Sequence, residues 1–303
     1  QPRIARGLQP PARAGRPVGG GGSGAAPVAV QPAHRGGLIT GVGGRARDGV
    51  PSLVVIVAFI GFWEGIVKGL HVQRFLLPAP TAIWTAFTGN QGQLWHEGWV
   101  TFQEAIGGFA IGAGAGILLA IVVARWSLLG DGLMPYAIAA NAVPIIAFAP
   151  ITNAWFSPLT KTSHMVMAAV LCFFPVFVNV VRGLRSVKPA QIELMRSYAV
   201  GELTVFRLVR VPTALPFLFT ALRVASVLAM IGAIVSEYYG GSLDTLGANI
   251  LQDASLFQFE KAWAEIVVAC VLGIGFYLAV ALVERVATRW QPRGEMIGAY
   301  HRA

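Results

Sequence analysis

The chain has 303 residues, 55% of them hydrophobic and only 12% charged, with a mean hydropathy of +0.64. That balance excludes an ordinary soluble domain, and the apolar residues gather into blocks near the roughly 20-residue length that crosses a hydrocarbon core. The formal charge of +9 lies between and outside these blocks and is not interleaved with aromatics on one soluble face, which argues against nucleic acid as a partner.

Residues 1–48 are rich in Gly, Pro, Ala and Arg and have little apolar bulk to bury, so they read as a disordered cytoplasmic tail. They contain no apolar h-region, and the first hydrophobic block reads as a retained helix, its seven preceding arginines holding that end inside. The transmembrane region is placed at 49–290 and a second cytoplasmic tail at 291–303. A first span is expected from about Ser52 to Lys68, and a second from Ala105 to Ala124, bounded by Glu104 and by Arg125 with Trp126. A third, about Leu133 to Phe156, carries Pro135, Pro144 and Pro150, which remove helix donors and should bend or break it. A fourth covers His164 to Val181, a fifth Ala214 to Tyr238 and a sixth Ala262 to Val283. The expected fold is therefore all-α and polytopic, with about six transmembrane helices and both termini inside. The loop charges agree with this orientation. Six Lys/Arg fall between Arg182 and Arg210, whereas Tyr239 to Lys261, predicted outside, has three acids and one lysine.

The stretch from Lys188 to Pro216 is too polar to cross lipid and too long for a simple connector. Ile192, Met195 and Ala199, then Leu203, Phe206 and Val209, recur at helical spacing, which predicts two short helices joined near Gly201. Pro189 should start the first and Pro212 end the second. The run from Glu193 to Pro212 resembles the cytoplasmic loop of binding-protein-dependent ABC importer permeases, whose pattern is Glu-Ala-Ala, three residues, Gly, nine residues, Ile, one residue, Leu-Pro. Counting back from Pro212 places that Glu on Glu193, the second Ala on Met195, the Gly on Ala199 and the Ile on Val209, with a shifted glycine at Gly201 as an alternative. Further matching runs are LLPAP from Leu76, VPIIAFAP from Val143, FFPVFVN from Phe173 and SEYYGG from Ser236. Together they resemble the nitrate, sulfonate and taurine class, including relatives assigned to thiamine-precursor pyrimidines and riboflavin.

The resemblance implies a type I ABC importer permease fold and a translocating subunit, not an enzyme, in a prokaryotic plasma membrane. It also implies a separate ATP-binding-cassette ATPase docked on the 188–212 loop, an extracytoplasmic solute-binding protein and a second permease subunit, read as an identical copy. The chain has no G-x-x-x-x-G-K-[ST] phosphate cradle, so ATP is expected on the partner, and no cofactor or metal is expected.

Polar groups inside spans mark pathway candidates: Asn141, Asn153, Asn179, Arg223 and Glu237. Each has a structural counter-reading: hydrogen bonds between helices for the asparagines, snorkelling or carbonyl capping for Arg223, and a solvated rim for Glu237. Gly108, Gly112 and Gly116 repeat every fourth residue and predict close helix approach, either within the subunit or between two subunits. The competing function, an ion-coupled secondary transporter, would need intramembrane carboxylates. Glu104 and Glu265 fall at predicted outer span ends, so the sequence offers few.

Overall fold

The computed structural model describes residues 43–140 and 145–289. Contacts divide the chain into Gln1–Leu53, of which only the opening of the first helix is described, and Val54–Ala303. The described residues are helical, without strands: α1 (Gly43–Gly69), α2 (Pro80–Gly89), α3 (Gln91–Arg125), α4 (Ser127–Ala140), α5 (Ala149–Phe156), α6 (Lys161–Arg185), α7 (Pro189–Ser197), α8 (Glu202–Val205), α9 (Val211–Tyr238), α10 (Leu246–Ser255) and α11 (Phe259–Ala287). A 3-10 turn, Ile145–Phe148, precedes α5, and a π turn, Phe206–Arg210, joins α8 to α9.

Among the described residues, four helical stretches are long and apolar enough to cross a membrane: Gln91–Arg125, Lys161–Arg185, Glu202–Tyr238 and Phe259–Ala287. Each contains one of the predicted second, fourth, fifth and sixth spans. Within the predicted third span the described residues form α4, with Pro135 inside it, then a 3-10 turn, Ile145–Phe148, and α5 with Pro150 in its first turn; Pro144 lies outside the described residues. Two helices were not anticipated, α2 and α10, each of only 10 residues. The chain is thus an all-α, polytopic membrane protein.

The core is built where α6 lies between α3 and α9, and small residues set the spacing. A Cβ on Gly108 would fall 2.4 Å from the Ala168 Cβ, one on Gly112 2.2 Å from the Ala169 carbonyl oxygen, and one on Gly116 2.9 Å from the Phe173 carbonyl oxygen. The glycine stripe is therefore spent on packing α3 against α6 inside the subunit. On the other side, Gly232 of α9 brings its backbone against Ala168, where a Cβ would stand 2.7 Å from that residue's Cα. Cys172, fully buried here, donates from Sγ to the Ala225 carbonyl at 3.1 Å.

Candidate functional site

The loop between α6 and α9 is built from local chemistry. Lys188 is extended (φ −64°, ψ 133°), and Pro189 opens α7 with a φ suited to the first helical turn and no N–H to leave unpaired. At the far end Ala199 adopts φ 53° and donates its N–H to the Arg196 carbonyl at 2.9 Å, while the Val200 N–H reaches the Met195 carbonyl at 3.3 Å. This left-handed C-terminal cap favours glycine. Gly201, in contrast, is extended (φ −66°, ψ 153°) and needs no glycine. Of the two candidate positions for the glycine of the resembled pattern, Ala199 has the backbone that favours glycine and Gly201 does not.

The expected end at Pro212 is corrected. The α8 segment does not stop there but runs through the π turn into α9, one helical path from Glu202 to Tyr238. The Val211 N–H donates to the Phe206 carbonyl, five residues back, and this wider turn lets Pro212 sit in the first turn of α9, where its missing N–H costs least. The Thr213 hydroxyl takes the Val209 carbonyl at 2.7 Å.

None of the residues of α7 is buried, so the loop protrudes from the bundle. Its roots are firm. Val187 and Val205 are buried, and Gly183 of α6 brings its backbone against Ala214 of α9, where a Cβ would meet the Ala214 Cα at 3.0 Å. Between these roots Leu194, Tyr198, Leu203 and Leu208 are 57%, 73%, 63% and 65% exposed, on a segment that also carries Lys188, Arg196 and Arg207. Glu193 is exposed on α7, whereas Met195 and Val209 are half-buried.

The pathway candidates fall differently. Asn141 lies outside the described residues. Asn153 is buried and tied: its Nδ2 donates to the Ser236 carbonyl at 3.1 Å, and its Oδ1 accepts from the Ser236 hydroxyl at 3.2 Å and from the Ser163 hydroxyl. His164 Nδ1 lies 3.0 Å from the Ser236 Oγ, so this knot fastens α5, α6 and α9 together. Asn179 donates to the Pro175 carbonyl of its own helix at 2.8 Å. Arg223 pairs through its Nε with Glu284 Oε2 at 3.1 Å across α9 and α11.

Glu237 is 1% exposed, which overturns the solvated-rim reading. Its Oε2 accepts the Gly247 N–H at 2.7 Å, while the Leu246 N–H donates to the Thr101 Oγ1 at 3.0 Å. Two of the free donors at the start of α10 are satisfied in this way by α9 and α3, with a carboxylate at the positive end of the helix. The SEYYGG run owes its glycines to this joint: a Cβ on Gly241 would stand 2.9 Å from the Glu237 carbonyl, and one on Gly240 would run into Pro158.

Sequence reasoning missed the extent of carboxyl burial. Glu97, Glu104, Asp253 and Glu265 join Glu237 among the buried residues. Glu104 lies against the Glu237 carboxyl, Glu97 accepts from Gln93 Nε2 at 2.7 Å, and the Lys261 Nζ lies 2.9 Å from Asp253 and 4.0 Å from Glu265. All sit at the end of the bundle away from α7. The only sequence signal was an acid three or four residues from a small or polar neighbour on the same helix, too common to single out.

The model of the family described as "Binding-protein-dependent transport system inner membrane component" matches residues 112–289, which include the whole protruding loop. The chain belongs to this family. Among curated relatives of this permease, the riboflavin transport system permease protein RibX of Chloroflexus aurantiacus is 30% identical over 242 residues, 78% of this chain and 89% of that protein. The formylaminopyrimidine transport permease protein ThiX of Halalkalibacterium halodurans is 28% identical over 244 residues, 80% of this chain and 96% of that one. A Bacillus subtilis protein, provisionally named aliphatic sulfonates transport permease protein SsuC, is 28% identical over 252 residues, 82% and 90% of the two chains. The permease is thus a multi-pass membrane component of a transport system for small solutes.

Proposed function

We propose that this permease is the translocating subunit of an ATP-driven importer, and that α7 and α8 form the arm gripped by a separate ATP-binding-cassette ATPase. The observation that carries the reading is the set of four largely exposed apolar side chains, Leu194, Tyr198, Leu203 and Leu208, on a polar, protruding segment. Apolar surface that protrudes from the bundle on a polar segment fits a protein partner. The flanking Lys188, Arg196 and Arg207 support a cytoplasmic arm in a prokaryotic plasma membrane and, with it, cytoplasmic termini. A binding protein delivers solute at the opposite end of the bundle, and a second copy of the chain completes the pathway. Closure of the ATPase moves the arm, and the unbroken helical path into α9 carries that movement across the membrane.

The solute is a heterocyclic vitamin or vitamin precursor. The names of RibX and ThiX and the Ser236–Gly241 run support this, and Glu284 neutralises Arg223, which removes the argument for an anion. Replacing Leu194 and Leu203 together by Glu should leave membrane insertion intact and abolish co-purification of the ATPase. Undiminished co-purification would sink the assignment of the arm. Riboflavin or formylaminopyrimidine uptake in cells carrying the whole system should stop when ATP is depleted; uptake that persists on a proton gradient alone would contradict ATP coupling.

A further inference from the structure

A cavity of about 590 Å³ opens between the end of α3 and the arm. Ile121, Val122, Leu203 and Phe206 form an apolar wall, and Arg125 and Arg210 line the same space. Neither guanidinium makes an ion pair among the described residues, whereas Arg223 and Lys261 elsewhere in the bundle are paired. Trp126, the residue that ends α3 with an extended backbone, also lines the cavity and is exposed, as an amphipathic ring at a membrane–water boundary would be. The pattern of two cations without an ion pair among the described residues above an apolar slot, with an indole beside them, asks for a ligand that is anionic at one end and aliphatic at the other.

We infer that this cavity seats an anionic phospholipid of the inner leaflet, its phosphate between Arg125 and Arg210 and an acyl chain along Ile121 and Val122. The side assignment rests on the cytoplasmic placement of the arm proposed above. Glu202, which shares the lining, offers an acceptor for the headgroup hydroxyls of phosphatidylglycerol. A free phosphate could satisfy the arginines but would leave the apolar wall bare. An ATPase surface could cover the wall, but α7, with no buried residue, projects farther and would meet it first.

The test is native mass spectrometry of the purified full-length permease with its ATPase, in detergent containing phosphatidylglycerol, phosphatidylserine or phosphatidylcholine. Wild type should retain phosphatidylglycerol, and Arg125→Gln/Arg210→Gln should weaken retention about tenfold or more. Arg196→Gln on α7, outside the cavity, should leave phosphatidylglycerol retention unchanged. Should the double variant fail to fold, Val122→Trp, which fills the apolar slot and keeps both charges, should lower retention in the same way. Equal retention of phosphatidylcholine, displacement by millimolar inorganic phosphate, or unchanged retention in these variants would overturn the site. So would protection of Val122→Cys from a lipid-soluble maleimide only when the ATPase is bound. Lipid retention by permease freed of ATPase separates failure here from failure of the ATP-driven reading.

Discussion

Substituting Ala at Gly112 adds one methyl group at the closest approach of α3 and α6. Its Cβ would stand 2.2 Å from the Ala169 carbonyl oxygen and 2.8 Å from the carbonyl carbon and Cα of the same residue. An ordinary carbon–oxygen contact is about 3.3 Å, so roughly 1 Å is missing. The obstacle is backbone within α6, so no side-chain rotation relieves it and the two helices must part. Overpacking of this kind costs about 1–3 kcal/mol, and here the high end applies because separation also loosens Gly108 and Gly116. Gly114→Ala on the same helix is the matched control: nothing lies within 4 Å of its Cβ, and it gains up to about 1 kcal/mol of helix propensity. Thermal unfolding in detergent, followed by loss of the monodisperse size-exclusion peak, should place the two variants roughly 5–15 °C apart, with Gly112→Ala the lower. Melting of Gly112→Ala within a degree of Gly114→Ala would refute the packing argument.

Two further outcomes follow from backbone and carboxyl geometry. Ala199→Gly relieves a left-handed residue at φ 53° and should stabilise the end of α7 by about 1 kcal/mol, read as slower amide exchange at Val200 and Gly201 with no change in ATPase affinity beyond about threefold. Glu237→Gln keeps an acceptor for the Gly247 N–H and adds a donor toward Glu104, so its melting temperature should stay near wild type. Glu237→Ala strands that buried N–H and should cost about 1–3 kcal/mol in the same melting assay.

The long apolar runs made α3, α6, α9 and α11 legible, because a span must be apolar whatever it packs against. The helices α2 and α10 were not, since each is short and its helicity is set by contacts that periodicity does not record: Thr101 and Glu237 from other helices cap α10. The arm was readable in its first half, where Pro189 acts locally. It was misread at Pro212, because a proline ends a helix only when the turn before it is α, and here that turn is π. The buried carboxyls escaped notice for a related reason. An acid near a span end looks solvated until the elements that cover it, α10 above all, are placed.

The helical path from Glu202 to Tyr238 has 37 residues, which at 1.5 Å per residue makes a rod about 55 Å long. Its near end carries Leu203 and its far end carries Glu237, which clasps α10. A tilt of about 10° about one tip would swing the other through about 10 Å on that length, comparable to the width of a helix. Under the proposed reading, a small rotation at the Leu203 end would become a helix-width displacement at the Glu237 end.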